Sequence, residues 1–253
     1  MLRHLSSETF HINLAGIAVG NGLTDPVVQY QHSVDMAFNS YNVSLLDERG
    51  IEDMRKAQPV CHELILRCQK ERLMCLDAME FCFGTLEGPY YQSGRNPNDI
   101  REPCAEENVM KCSHVEHIDQ YLNSPAVLEE LGVDVHKSKP WRECDATVGA
   151  GFVFDEMVSS ANDVKLLLDS GVRVLIYAGD GDLMCNWVEN QAWVMALDWS
   201  GKTEFNSAPN RPCYLGELGC GSCTCVRELG VFSRVQLRPH GTDGSACRLL
   251  RDD

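Results

Sequence analysis

Cys61, Cys68, Cys75 and Cys82 recur every seven residues. On one straight helix they would share a face, with neighbours about 10.5 Å apart along the axis. A disulfide needs Cα atoms within roughly 7 Å, so the four cannot pair along such a helix. A helical hairpin turning near Glu71-Arg72 resolves the conflict, bringing Cys68 to Cys75 and Cys61 to Cys82 as nested bridges. The competing arrangement is a helix with four buried free thiols. Two other features favour the bridged hairpin. Thirteen cysteines is a heavy load for 253 residues, and cytosolic proteins rarely carry so many unless they bind metal. Asn42-Val43-Ser44 is also an N-glycosylation sequon. Together these point to a lysosomal, vacuolar or secretory compartment.

Composition removes several function classes. Apolar residues make up 44% of the chain, enough for a sizeable core. The balance of 22 basic against 37 acidic residues gives a net charge of −15. A chain this acidic is repelled by nucleic acid and by anionic lipid. No apolar run reaches the ~18 residues that span a bilayer. The first ten residues, MLRHLSSETF, lack the apolar region of a signal peptide. A chain that opens almost directly on a core strand reads as truncated.

Organisation follows from the apolar runs and the turn residues between them. Ile12 to Val19 reads as a strand closed by Gly20-Asn21-Gly22. Residues from about Tyr41 to Cys82 read as helical, with Ser44 as N-cap and Asp47 three residues on. Cys104 and Cys112 flank an acidic loop and could close a third ring, which leaves Cys144 without an obvious partner. Ile118 to Leu131 reads as one or two short helices broken at Pro125, and Phe152 to Leu168 as an amphipathic helix. Val174 to Tyr177 is a short apolar run closed by Ala178-Gly179, the pattern of a buried strand. Asp180 and Asp182 follow it, and Asn186 to Leu197 is helical again. In open α/β sheets chemistry gathers at the carboxyl ends of strands. A carboxylate there can orient a histidine and stabilise its charged form.

Three segments resemble the serine carboxypeptidases of the carboxypeptidase Y and cathepsin A type. They are INLAGIAVGNGLTDPVVQY (Ile12 to Tyr30), SGRNPNDIREPC (Ser93 to Cys104) and LIYAGDGDLMCNWVENQAW (Leu175 to Trp193). They occur in the family's order, and the likeness runs from about residue 10 to about residue 218. The resemblance implies an α/β-hydrolase fold with a partial sheet and an inserted, disulfide-bonded helical cap. It divides the chain into a first part of the hydrolase core (1–40), the cap (41–140), a second part of the core (141–218) and a divergent tail (219–253). It implies a Ser-His-Asp triad that removes C-terminal residues from peptides or proteins at acidic pH, without metal or cofactor. Asp182 would be the triad aspartate and Asp180 structural. Cys185, Asn186 and Trp187 are candidates for the substrate-pocket wall, Cys185 matching a free thiol of the family. The nested pairs Cys61–Cys82 and Cys68–Cys75 are family features, as is Cys104–Cys112. Cys144 matches a cysteine whose family partner lies upstream.

The chain departs from the family at two motifs. The nucleophile elbow, expected as GESYAG, is absent; no G-x-S-x-G occurs in the 253 residues. The family's histidine follows the aspartate in a G-H-M-V-P context, and here the corresponding stretch reads VQLRPHGTDGSA, Val235 to Ala246. The family-like string YNYGHMVPMDQP, written in suitable synonymous codons and read one base out of frame, yields that same stretch. This predicts a frame slip between about Leu218 and Cys225. His240 would then be an exposed residue of a divergent tail. The cluster Cys220, Cys223 and Cys225 lacks the second pair of a zinc site, and Asp180-Gly181-Asp182 lacks the later ligands of a calcium loop. The rival expectation is a catalytically inactive fragment or a non-catalytic binding protein.

Overall fold

The computed structural model describes residues 13–104, 112, 116–215, 218–226 and 229–235. His240 and the rest of the stretch beyond 235 lie outside these residues, as does Ile12.

The strand Gly16–Gly20 (β1) is followed by a short helix, Pro26–Gln29 (α1), which continues as a 3-10 stretch over Tyr30–Phe38. A long helix, Glu48–Cys68 (α2), and a second one, Met74–Cys82 (α3), make a hairpin whose turn lies at 69–73. Their inner faces bury Met54, Cys61, Ile65, Cys68, Cys75, Ala78 and Cys82. Cys61 is bonded to Cys82 with Cα atoms 5.2 Å apart, and Cys68 to Cys75 at 4.5 Å. The helix begins at Asp47, not at Ser44: the Asp47 carboxylate accepts the Gly50 N–H at 2.7 Å. Ser44 is exposed on the non-helical approach. An aspartate one residue before the helix caps it as well as a serine does, so the residue expected three positions inside the helix is its cap instead.

After a π turn at Phe83–Glu87 and a one-turn helix, Gly88–Tyr91 (α4), the chain forms a small antiparallel hairpin of Arg95–Asn96 (β2) and Asp99–Pro103 (β3). Cys104 at its end is bonded to Cys112. Short helices follow at Glu116–Leu122 (α5), Pro125–Glu130 (α6) and Ala146–Phe152 (α7). The helix expected from Phe152 to Leu168 starts only at Ala161 (Ala161–Asp169, α8). Residues 153–160 instead give backbone groups to the helical hairpin. Gln69 donates to the Met157 carbonyl at 2.7 Å, and Arg72 donates to the Phe154 carbonyl at 3.0 Å. These long-range bonds outweigh a weak local helical pattern.

The strand Arg173–Gly179 (β4) buries Val174, Ile176 and Ala178 in the alternation expected of a strand. It is followed by Trp187–Ala196 (α9), Lys202–Ser207 (α10) and the strands Arg211–Leu215 (β5), Leu218–Val226 (β6) and Leu229–Val235 (β7). β1, β4, β5, β6 and β7 form one open sheet in the order β1-β4-β7-β6-β5. β1, β4 and β7 run parallel, while β5 and β6 are antiparallel to their neighbours. The architecture is therefore mixed α/β with an open sheet.

Two buried clusters result. One joins Val174 and Ile176 of the sheet to Val164 and Leu168 of α8 and to Trp193 and Val194 of α9. The other fills the helical hairpin, together with Tyr30, Leu86, Tyr90, Ile100 and Leu183. Because the central strands are parallel, Gly20, Gly179 and Val235 end at the same edge of the sheet.

Candidate active site

Asp182 lies at that edge, in the turn that follows β4, and both Asp180 and Asp182 are buried. One Asp182 carboxylate oxygen, Oδ1, accepts the backbone N–H of Met184 at 2.9 Å and of Cys185 at 3.3 Å. This is an aspartate bonding to its own turn, the local geometry such residues favour. The other oxygen, Oδ2, accepts from the side-chain amide of Asn21. Burial pushes the Asp182 carboxyl up to about 6, and the bonds from Cys185, Met184 and Asn21 pull in the opposite direction.

Asn21 reaches Asp182 because β1 and β4 are in parallel register, Gly20 facing Tyr177. Its own N–H donates to the Tyr177 carbonyl at 2.8 Å. Its φ is +49°, in the left-handed region that asparagine tolerates better than most residues. Gly20 leaves room for the Tyr177 ring: a Cβ there would stand 2.2 Å from it.

A second wall comes from the β2–β3 hairpin. The Ile100 N–H donates to the Gly181 carbonyl, and the Leu183 N–H donates to the Pro97 carbonyl, both at 2.9 Å. Arg101 clasps Asp99 through Nε at 2.7 Å and Nη2 at 2.5 Å. Its guanidinium also sits 5.2 Å from the centroid of the Tyr41 ring. Between the walls is a cavity of about 410 Å³, lined by Asn21, Asp99, Arg101, Tyr177, Asp180 and Asp182 among others.

The remaining candidates do not line this cavity. Cys185 is a free, partly buried thiol, and burial, then Asp182 and Glu189, push it up to about 12. Asn186 is buried and caps α9, its Oδ1 accepting the Glu189 N–H at 2.9 Å. Trp187 packs partly buried against the cluster of the helical hairpin. Asn42 is exposed, with φ of +54°. Cys144 is an exposed free thiol. Among the described residues no cluster of three or more metal-binding side chains occurs, and no helix is long and apolar enough to cross a membrane.

Sequence reasoning missed three contributors. In the sequence Asn21 is only the middle of a Gly-Asn-Gly turn. Glu87 and Glu189 carried no motif at all. The Tyr30 and Tyr91 hydroxyls both donate to Glu87, and Glu189 is buried behind the Asp182 turn. Burial pushes Glu87 up to about 7; the bonds from Tyr30 and Tyr91 work against this, and the Glu156 charge adds to it. Burial pushes Glu189 up to about 8; Glu87 and Asp182 add to it, while bonds to Asn186 and Ser33 oppose it.

Comparison with known proteins places the chain in a family. The chain is 38% identical over 248 residues to carboxypeptidase Y of Candida albicans, covering 95% of this chain and 45% of that protein. It is 37% identical over 209 residues to carboxypeptidase Y homolog A of Coccidioides posadasii, covering 81% of this chain and 38% of the relative. The chain thus spans less than half the length of these curated relatives. Among solved structures it resembles Kex1(delta)p, a prohormone-processing carboxypeptidase from Saccharomyces cerevisiae. That match has a TM-score of 0.72 at 21% identity, covering 92% of this chain and 53% of the other, and it speaks for the fold alone. Residues 1–226 match the model of the serine carboxypeptidase family, and the chain belongs to that family.

Proposed function

We propose that this chain serves serine-type carboxypeptidase chemistry, the hydrolysis of C-terminal residues from peptides or proteins, with Asp182 as the aspartate of the triad. The observation that carries the reading is the Asp182 carboxylate, buried at the carboxyl end of a parallel strand and aimed by three N–H donors. In such a triad the serine oxygen bonds to the scissile carbonyl carbon while histidine takes its proton. The histidine then gives that proton to the leaving amine as the C–N bond breaks, and water hydrolyses the acyl-enzyme. Asp182 orients the imidazole and stabilises the imidazolium. An imidazolium against this carboxylate would draw its pKa down, since a nearby opposite charge favours the ionised form.

The finer assignments rest on the same reading. The helical stretch within 41–140 acts as a cap, supported by the buried cluster its hairpin forms with Tyr30, Val34, Met157 and Leu183, distinct from the cluster against the sheet. Cys185, Asn186 and Trp187, just beyond Asp182 in sequence, are the candidates for the substrate-pocket wall, behind the residues that line the cavity. Asn42, exposed on a turn, is the glycan site, in keeping with a vacuolar, lysosomal or secretory location. The tail is read in a shifted frame from a slip between about Leu218 and Cys225, a reading that rests on the codon argument for Val235 to Ala246 alone. Sequencing the genomic DNA tests this point, and an intact frame matching the tail overturns it.

A second reading has its own observation: no G-x-S-x-G occurs in the 253 residues, so a non-catalytic role is the rival. An assay of the purified chain on a blocked dipeptide at pH 4 to 6 separates the two. Turnover that a serine-directed organophosphate abolishes, and that Asp182→Asn reduces by orders of magnitude, supports the enzyme. No turnover leaves the non-catalytic reading in possession.

A further inference from the structure

The geometry points to Asn21 as a positioning residue for Asp182, fixing the plane of its carboxylate through Oδ2. This deepens the triad reading and rests on it. Oδ1 is already held by two N–H groups of its own turn, at Met184 and Cys185. Those bonds alone leave the carboxylate free to rotate about them. The Asn21 amide supplies the remaining constraint from the far side of the cavity, across 161 residues of sequence. Asn21 is itself fixed twice, by its N–H on the Tyr177 carbonyl at 2.8 Å and by its place after β1. The bond therefore couples the ends of two parallel strands to the orientation of one carboxylate. A neutral donor suits the task. It restrains Oδ2 without neutralising the charge, so the oxygen keeps a lone pair for an imidazole N–H. A lysine or arginine here would form an ion pair and compete with the imidazolium.

An asparagine with positive φ has a competing explanation, the backbone alone, and Asn21→Gly separates the two. Glycine adopts φ near +49° at no steric cost, so it keeps the turn and removes only the amide. The readout is the titration of the Asp182 carboxyl carbon by NMR, assigned with Asp182→Asn. Asn21→Gly is expected to raise the Asp182 midpoint by about one pH unit, because a bond to the charged form has been lost. Amide exchange across β1 and β4 should stay unchanged. Asn21→Asp, of the same size, puts a second carboxylate against the first and should raise the midpoint further. An Asp182 titration that neither variant moves overturns the inference. If the midpoint moves but Asp182→Asn leaves the turnover of the dipeptide intact, the positioning bond stands and the triad reading falls.

Discussion

The Ile100 N–H donates to the Gly181 carbonyl at 2.9 Å, so the β2–β3 hairpin is tied to the acidic turn by backbone, independent of the side chains that either segment carries. Ile100→Pro removes this donor. It also removes a fully buried side chain, so Ile100→Val serves as the reference, with an expected cost of about 1 kcal/mol. Proline should cost at least ~2 kcal/mol more, because the Gly181 carbonyl loses its partner in a buried turn. Urea unfolding of the two variants measures the difference.

Removing the bridges tests the helical hairpin. Cys61→Ala with Cys82→Ala opens a loop with a sequence separation of 21, against 7 for Cys68 and Cys75. Loop-closure entropy assigns the longer ring about 3 kcal/mol and the shorter one somewhat less. Denaturant midpoints of the two double variants should fall in that order.

Stability should decline as pH rises through the neutral range. Glu87 and Glu189 have folded values of about 7 and about 8, against the ordinary 4.5. Asp182 is raised in the same direction, to about 6 from 3.8. Where a folded-state pKa is raised, the folded protein binds more protons than the unfolded chain. The stabilisation is complete below about pH 4 and drains away between there and about pH 8. The melting temperature at pH 8 should lie at least ~4 °C below that at pH 4.5. Glu189→Gln should flatten the profile, since the amide needs no proton to remain neutral.

The two caps should differ in worth. Asp47→Ala loses an exposed bond at the start of α2, at a cost of about 1 kcal/mol. Asn186→Ala also leaves the Glu189 N–H unsatisfied in a buried place, which should bring the loss nearer ~2 kcal/mol. Thermal unfolding of each single variant tests the ranking.

Thiol chemistry should follow environment. Cys144 is exposed, whereas Cys185 is partly buried and pushed up to about 12. Only the thiolate alkylates readily. Iodoacetamide at pH 7.5 should modify Cys144 in the native protein and spare Cys185 until the chain is unfolded, which peptide mass mapping can follow.

What could be read in the sequence was local. The apolar run into Gly179 announced β4, and the spacing of four cysteines announced a hairpin of two helices, because both signals depend on neighbours in the chain. The start of α2 lies at Asp47 rather than Ser44, because an aspartate accepts the first free N–H as readily as a serine. Residues 153–160 read as helix, yet Gln69 and Arg72 claim their carbonyls from more than eighty residues away. Asn21 and Glu189 acquire meaning only when distant segments meet: each needs a partner that no periodicity or motif names.

The 161 residues that separate Asn21 from Asp182 also order events in time. Contacts between near neighbours form early, while pairing across long separations waits on costly loop closure. The α2–α3 hairpin, with its short-range bridges, is therefore expected to be in place well before β1 docks on β4. A newly made chain would pass through a stage in which its helices are folded and its acidic turn is still unaimed.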